Sequence, residues 1–140
     1  MMIESAEEFK RLRESEAQDE YFRAAHDEAP IQIWEEVLVK YPDLAVWVAH
    51  NKTVPVAILE KLAVDNDPKV RGMVARKRKI PESLMLQLAK DEDESVRHAL
   101  VNNRKVTVAV LQVLRNDSWQ VIREVASDKL SALTSKSSGR

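Results

Sequence analysis

A 26-residue period constrains this chain more than any other feature. The segment PVAILEKLAVDNDPKVRGMVARKRKI (55–80) aligns without a gap on PESLMLQLAKDEDESVRHALVNNRKV (81–106). Pro55 meets Pro81, Leu62-Ala63 meets Leu88-Ala89, Asp65 and Asp67 meet Asp91 and Asp93, and Val70-Arg71 meets Val96-Arg97. A third copy begins at Thr107, where Leu114, Asp117 and Ile122-Arg123 keep the register. Backwards, LAVWVAHNKTVP (44–55) matches VRGMVARKRKIP (70–81), and YFRAAHDEAP (21–30) echoes VWVAHNKTVP, with Phe22 on Trp47 and Ala24 on Ala49. About four and a half units result, at approximately 21–29, 30–54, 55–80, 81–106 and 107–130. Self-similarity at such a period indicates one supersecondary unit per copy, unable to bury its apolar face alone and stacked on its neighbours.

Each unit reads as two short helices. Ile58, Leu59 and Leu62 share one helical face, and Pro55 or Pro81 stands in the first turn, where a missing N–H costs nothing. The second helix starts at Asp67-Pro68, with Asp as N-cap and Pro at the first helical position; it buries Val70, Met73 and Val74. At ~8 residues such helices are marginal in isolation and partly 3-10 in character. Residues 1–20 depart from the pattern. SAEE (5–8) is a capping box ahead of Phe9 and Leu12, and the segment reads as an acidic N-terminal helical cap over the first unit. The last ten residues, 131–140, lack apolar periodicity and are read as a flexible tail. The expected fold class is therefore all-α: a right-handed α-solenoid, or superhelix, of two-helix repeats.

Composition narrows the function. The 140 residues suit one domain. The chain holds no Cys, which excludes disulfides, thiolate metal sites and cysteine nucleophiles. Its two Gly argue against a glycine-cradled nucleotide site. No leader-like or membrane-spanning apolar run occurs, so a cytoplasmic protein is expected. The net charge of −1 conceals a separation. Residues 1–44 carry 12 acidic and 5 basic side chains, and residues 45–140 carry 11 acidic and 17 basic ones. Such a separation bears on partners rather than on fold.

The pattern DPKVRGMVARKRKIPESLMLQLAKD resembles the leucine-rich repeat variant, whose units run D-P-x-V-R-x-x-V-A-x-N-x-x-x-P-x-x-L-x-x-L-A-x-D, and is more distantly similar to HEAT repeats. The likeness covers about residues 30–128. It implies alternating α and short α or 3-10 helices in a right-handed superhelix that serves as a binding scaffold. The iron–sulfur module of some family members cannot carry over to a chain without Cys. Short arrays with elements like WVAHNKTVP and VARKRKIP also resemble small bacterial proteins that inhibit secreted toxins, which implies an immunity-type role. HEAT-like arrays that excise DNA bases make nucleic acid the rival partner.

The candidate binding feature is the turn after each second helix. His50 and Lys52, then Arg76, Lys77, Arg78 and Lys79, then Arg104 and Lys105 occupy equivalent turns, so stacking predicts a basic edge. An acidic protein surface, nucleic acid and plain solvent are the three readings of that edge. Nucleic acid is disfavoured by a sequence pI of about 6.3 and by the lack of aromatic residues among the basic ones. Arg71, Arg97 and Arg123 recur six residues after Asp65, Asp91 and Asp117, and read as an inter-helix or inter-repeat salt-bridge ladder rather than ligand contacts. Trp34 and Trp47 fall on core positions, whereas Trp119 in NDSWQ falls in a capping turn. The histidines His26, His50 and His98 have no metal-ligand spacing, and no nucleophile elbow or P-loop occurs. No catalytic, cofactor or metal site is expected. The reading is a non-catalytic scaffold that binds another protein, with nucleic-acid binding as the alternative and a purely structural or self-associating module as a third class.

Overall fold

The computed structural model describes residues 1–138, with side chains through residue 134. The described residues form ten α-helices, a 3-10 turn at Pro42–Leu44 and no β-strand. They fall into two compact units, Met1–Val74 and Ala75–Arg140. The division lies within the expected repeat 55–80.

The N-terminal unit contains α1 (Ala6–Glu14), α2 (Gln18–His26), α3 (Ile31–Lys40), α4 (Ala45–His50), α5 (Val56–Leu62) and all but the last residue of α6 (Pro68–Ala75). Ser5 Oγ accepts from Glu8 N (3.0 Å), as the capping box requires. The returning carboxylate takes Glu4 N (2.8 Å) rather than Ser5 N. Ile3, Ala6, Phe9 and Leu12 are buried, and α1 packs on α2 and α3. Phe9 meets Trp34 edge-on, with ring centroids 5.2 Å apart. The helix α2 runs across residue 20, so cap and first unit share one element.

The C-terminal unit contains α7 (Glu82–Leu88), α8 (Glu94–Val101), α9 (Val108–Leu114) and α10 (Gln120–Ser138). Each of α7 and α9 buries three apolar side chains: Leu84, Met85 and Leu88, then Val110, Leu111 and Leu114. Burial of each contributes about 1.5–3 kcal/mol, which short helices need because propensity alone does not hold them. Pro55 and Pro81 are N-caps with extended backbone, not first-turn residues. Their carbonyls accept the first helical bonds, from Ile58 and Leu59 and from Leu84 and Met85. Pro68 does open α6.

One expectation changes at the C-terminus. α10 continues through residues 131–138, where the lack of apolar periodicity predicts a flexible tail. Ser, Ala, Leu, Thr and Lys there include no Gly or Pro to stop a helix, and Thr134 Oγ1 donates back to the Leu130 carbonyl (3.1 Å). Residues 139 and 140 lie outside the described residues.

Gly72 sits inside α6, and a Cβ built there meets no atom within 4 Å outside its own helix backbone. Glycine in a helix interior costs roughly 0.5–1 kcal/mol relative to alanine. Gly72→Ala is therefore expected to raise the urea midpoint by an equivalent amount; a lowered midpoint would mean that the space beside it is needed.

Candidate functional site

The sharp corners between helices are built the same way three times. Asp65, Asp91 and Asp117 each turn the carboxylate Oδ1 onto the backbone N–H two residues on, at 2.9 Å in every case, an Asx-type turn. Six residues later an arginine closes the corner. Arg71 Nη1 donates to the carbonyl of Asp65 (2.7 Å), Arg97 Nη1 to that of Asp91 (2.7 Å) and Arg123 Nη1 to that of Asp117 (2.8 Å). The same-corner contact is thus guanidinium to backbone carbonyl, not guanidinium to carboxylate. Within the C-terminal unit Arg97 also forks onto the next corner's carboxylate, Nε to Asp117 Oδ2 (2.8 Å) and Nη2 to Oδ1 (3.3 Å). All six residues thus take part in holding the corners.

The turn after each second helix carries a buried polar anchor that periodicity did not disclose. Asn51 and Asn103 are 0% and 4% exposed. Asn51 Nδ2 donates to the carbonyls of Ala24 (2.8 Å) and Asp27 (3.1 Å). Asn103 Nδ2 donates to those of Ala75 and Lys77 (2.8 Å each). Lys129, in the same register, reaches the Val101 carbonyl with Nζ (2.7 Å), and burial pushes its pKa down. Each side chain donates to backbone carbonyls about one repeat earlier and so ties successive turns together. Lys77 occupies this register too and is half-buried. The four basic residues of VARKRKIP are therefore unequal: Arg76, Arg78 and Lys79 are exposed, and Lys77 is not.

Three residues of the predicted basic edge converge. Arg76, Arg78 and Arg104 line one cleft of about 420 Å³ in the C-terminal unit, together with His98, Ala99, Asn102 and Asn103. No carboxylate lines it. Asn102 Nδ2 donates to the His98 carbonyl (3.0 Å) and lies 3.3 Å from His98 Nε2, and the His98 ring rests against Trp119, centroids 5.4 Å apart. Trp119 is half-buried there. Lys79 and Lys105 are exposed outside the cleft lining. Lys52 is exposed, and its backbone N–H ties to the Ala25 carbonyl (2.8 Å).

His50 belongs to a different pocket. In the N-terminal unit it joins Arg13, Tyr21, Phe22, Ala24, Ala25, His26 and Trp47 around about 280 Å³. Phe22 stacks on His26 at 3.8 Å, Trp47 meets His50 edge-on at 5.8 Å, and the Arg13 guanidinium lies 3.5 Å from the Trp47 ring centroid, a cation–π contact. Trp47 is therefore half-buried rather than core. Met73, in the same register, is also half-buried, so the position marks the rim of the apolar core.

In register the two clefts overlap, with Trp47 and His50 of one at the positions of Ala99 and Asn102 in the other. His50, Arg76 and Asn102 are equivalent positions, and so are Phe22, Trp47 and Ala99. Where the N-terminal unit has Trp47, the C-terminal unit has Ala99, which lines its cleft beside Arg76, Arg78 and Arg104. Periodicity held the signal for this, in the alignment of Phe22 on Trp47 and of His50 on Arg76. The charge of each unit follows the same division. Met1–Val74 holds 15 acidic and 9 basic residues, and Ala75–Arg140 holds 8 and 13, giving −6 and +5.

Among the described residues no group of three His, Asp or Glu is placed to hold a metal ion, and no helix is long and apolar enough to cross a membrane. Comparison with family models, curated proteins and solved structures found no match.

Proposed function

We propose that the chain is a non-catalytic binding scaffold of the leucine-rich-repeat-variant or HEAT-like kind, a right-handed α-solenoid acting in the cytoplasm. In this reading the arginine cleft of its C-terminal unit takes carboxylates on a partner protein. The observation that carries this is the convergence of Arg76, Arg78 and Arg104 on one cleft with no acidic residue in its lining. Guanidinium forks bind carboxylates bidentately, and a cleft of a single sign concentrates the field on an approaching anion. The corner pattern recurring at residues 71, 97 and 123 supports the repeat architecture, because the same contacts join the two helices of each pair. A preformed cleft also lowers the entropy lost on binding. The sharpest form of the proposal is an immunity-type inhibitor that covers an acidic face of a bacterial toxin or effector. Nucleic acid is the weaker fit, since the arginine cleft has no aromatic ring beyond His98 on which bases would stack.

Titration with decaglutamate, as a minimal acidic surface, tests the cleft. Saturable binding at 50 mM salt is expected, with at least about a tenfold loss in the double variant Arg78→Glu/Arg104→Glu. Both side chains are exposed, so far-UV circular dichroism is expected to be unchanged. Equal binding by the double variant would reduce the arginines to a solvated edge.

A further inference from the structure

The aromatic pocket of the N-terminal unit differs in chemistry from the arginine cleft. Its lining is Tyr21, Phe22, Trp47 and two alanines, with Arg13, His26 and His50. Tyr21 and Phe22 are adjacent on α2 and 42% and 58% exposed. Two neighbouring aromatic rings in water are a poor surface for a free monomer. They belong to the residue types, together with Trp and Arg, that dominate the energetics of protein interfaces.

The pocket is preorganised. α2 supplies the Phe22–His26 stack, fastened by a hydrogen bond between His26 Nδ1 and the Phe22 carbonyl (2.9 Å). α4 supplies Trp47 and His50. Arg13 covers the Trp47 ring, and its Nε is buried and makes no hydrogen bond. A volume of about 280 Å³ is below the usual range for a drug-sized ligand, roughly 300–1,000 Å³, and suits a single side chain. Charge then selects the occupant's neighbours. The unit holds 15 acidic residues, yet none lines the pocket; the charged or titratable groups there besides Tyr21 are one guanidinium and two imidazoles.

We propose that this pocket receives one aromatic side chain of the partner protein, a Phe or Trp flanked by carboxylates, held by offset and edge-on ring contacts with Phe22 and Trp47 while the flanking acids meet Arg13 and the imidazoles. The inference rests on the protein-binding reading above and adds a second, chemically different contact to it. A stacked nucleobase is the rival occupant, and an oligonucleotide arm of the test separates the two.

The test uses the full chain and the peptide acetyl-Asp-Glu-Phe-Glu-Asp-amide, followed through the three tryptophan indole N–H resonances, with Trp47 assigned by Trp47→Phe. A saturable shift confined to Trp47 is expected, with Kd on the order of 1 mM. It should weaken at least about tenfold with Ala in place of the peptide Phe, with Lys in place of its acids, and in Phe22→Ser, a substitution at an exposed site. No shift at Trp47, equal shifts with the Ala peptide, or an unaltered response in Phe22→Ser overturns the proposal. So does a shift produced by a single-stranded oligonucleotide and not by the peptide. Decaglutamate binding at the arginine cleft is read in parallel. If it persists while the Phe peptide fails, the pocket assignment falls alone; if it too is absent, the protein-binding reading falls with it.

Discussion

Replacing Arg97 by alanine is expected to destabilise the C-terminal unit by about 3–5 kcal/mol. The guanidinium closes its own corner through the Asp91 carbonyl and grips the next through both Asp117 oxygens. The two side chains are only 12% and 5% exposed. Truncation leaves the Asp117 carboxylate buried beside a lost partner, which costs more than the net worth of the pair. The carboxylate keeps only its bond from Trp119 N. Arg123→Ala provides the scale, since Arg123 donates to the Asp117 and Ser118 carbonyls rather than forking onto a carboxylate. Its loss is expected to be smaller, about 1.5 kcal/mol. Arg97→Lys should fall between, because an ammonium keeps the charge without the planar fork. Urea unfolding of the three variants gives the order directly. Equal losses for Arg97→Ala and Arg123→Ala would show that the fork onto Asp117 contributes nothing.

Trp34→Ala is the second large effect, about 3–5 kcal/mol in the N-terminal unit. Trp34 is fully buried on α3 and holds Phe9 of α1 edge-on, so its removal opens a cavity where the N-terminal helix joins its neighbours. The indole Nε1 is buried without a hydrogen-bond partner. Trp34→Phe therefore keeps much of the packing and removes an unsatisfied donor, and it should cost clearly less than Trp34→Ala. If the two substitutions cost the same in urea unfolding, the indole N–H has a partner that matters.

Much of the architecture was legible because it is written redundantly. The 26-residue register placed α6 at Pro68, gave Trp34 to the core and singled out Arg71, Arg97 and Arg123 as one class. Register does not say which atom a side chain meets. Asp65, Asp91 and Asp117 spend one carboxylate oxygen on their own turns, so the arginine of the same corner meets the carbonyl instead. Asn51 and Asn103 carry no signal within their own turns, because their acceptors lie about a full repeat away, where only stacking brings them within reach. Register predicts a core place for Trp47, yet the position is a half-buried rim that Met73 shares. The helical run to residue 138 was missed because a segment without apolar periodicity still forms helix when nothing interrupts it. The two clefts were half legible. Their positions were visible as the variable turn after each second helix, but Tyr21 and Phe22 come from the weakest copy of the repeat, and no local pattern joined them to Trp47.

The claim that this scaffold binds a protein, rather than nucleic acid, through its arginine cleft is tested most directly by salt. Decaglutamate and a 20-nucleotide DNA, as single strand and as duplex, are titrated against the wild-type chain at 50 and 150 mM salt. Decaglutamate should remain saturable at 150 mM and DNA should not. DNA binding that exceeds decaglutamate at both salts, with log K falling against log salt by about 0.9 per phosphate neutralised on the duplex, would contradict it and make the cleft a phosphate-binding surface.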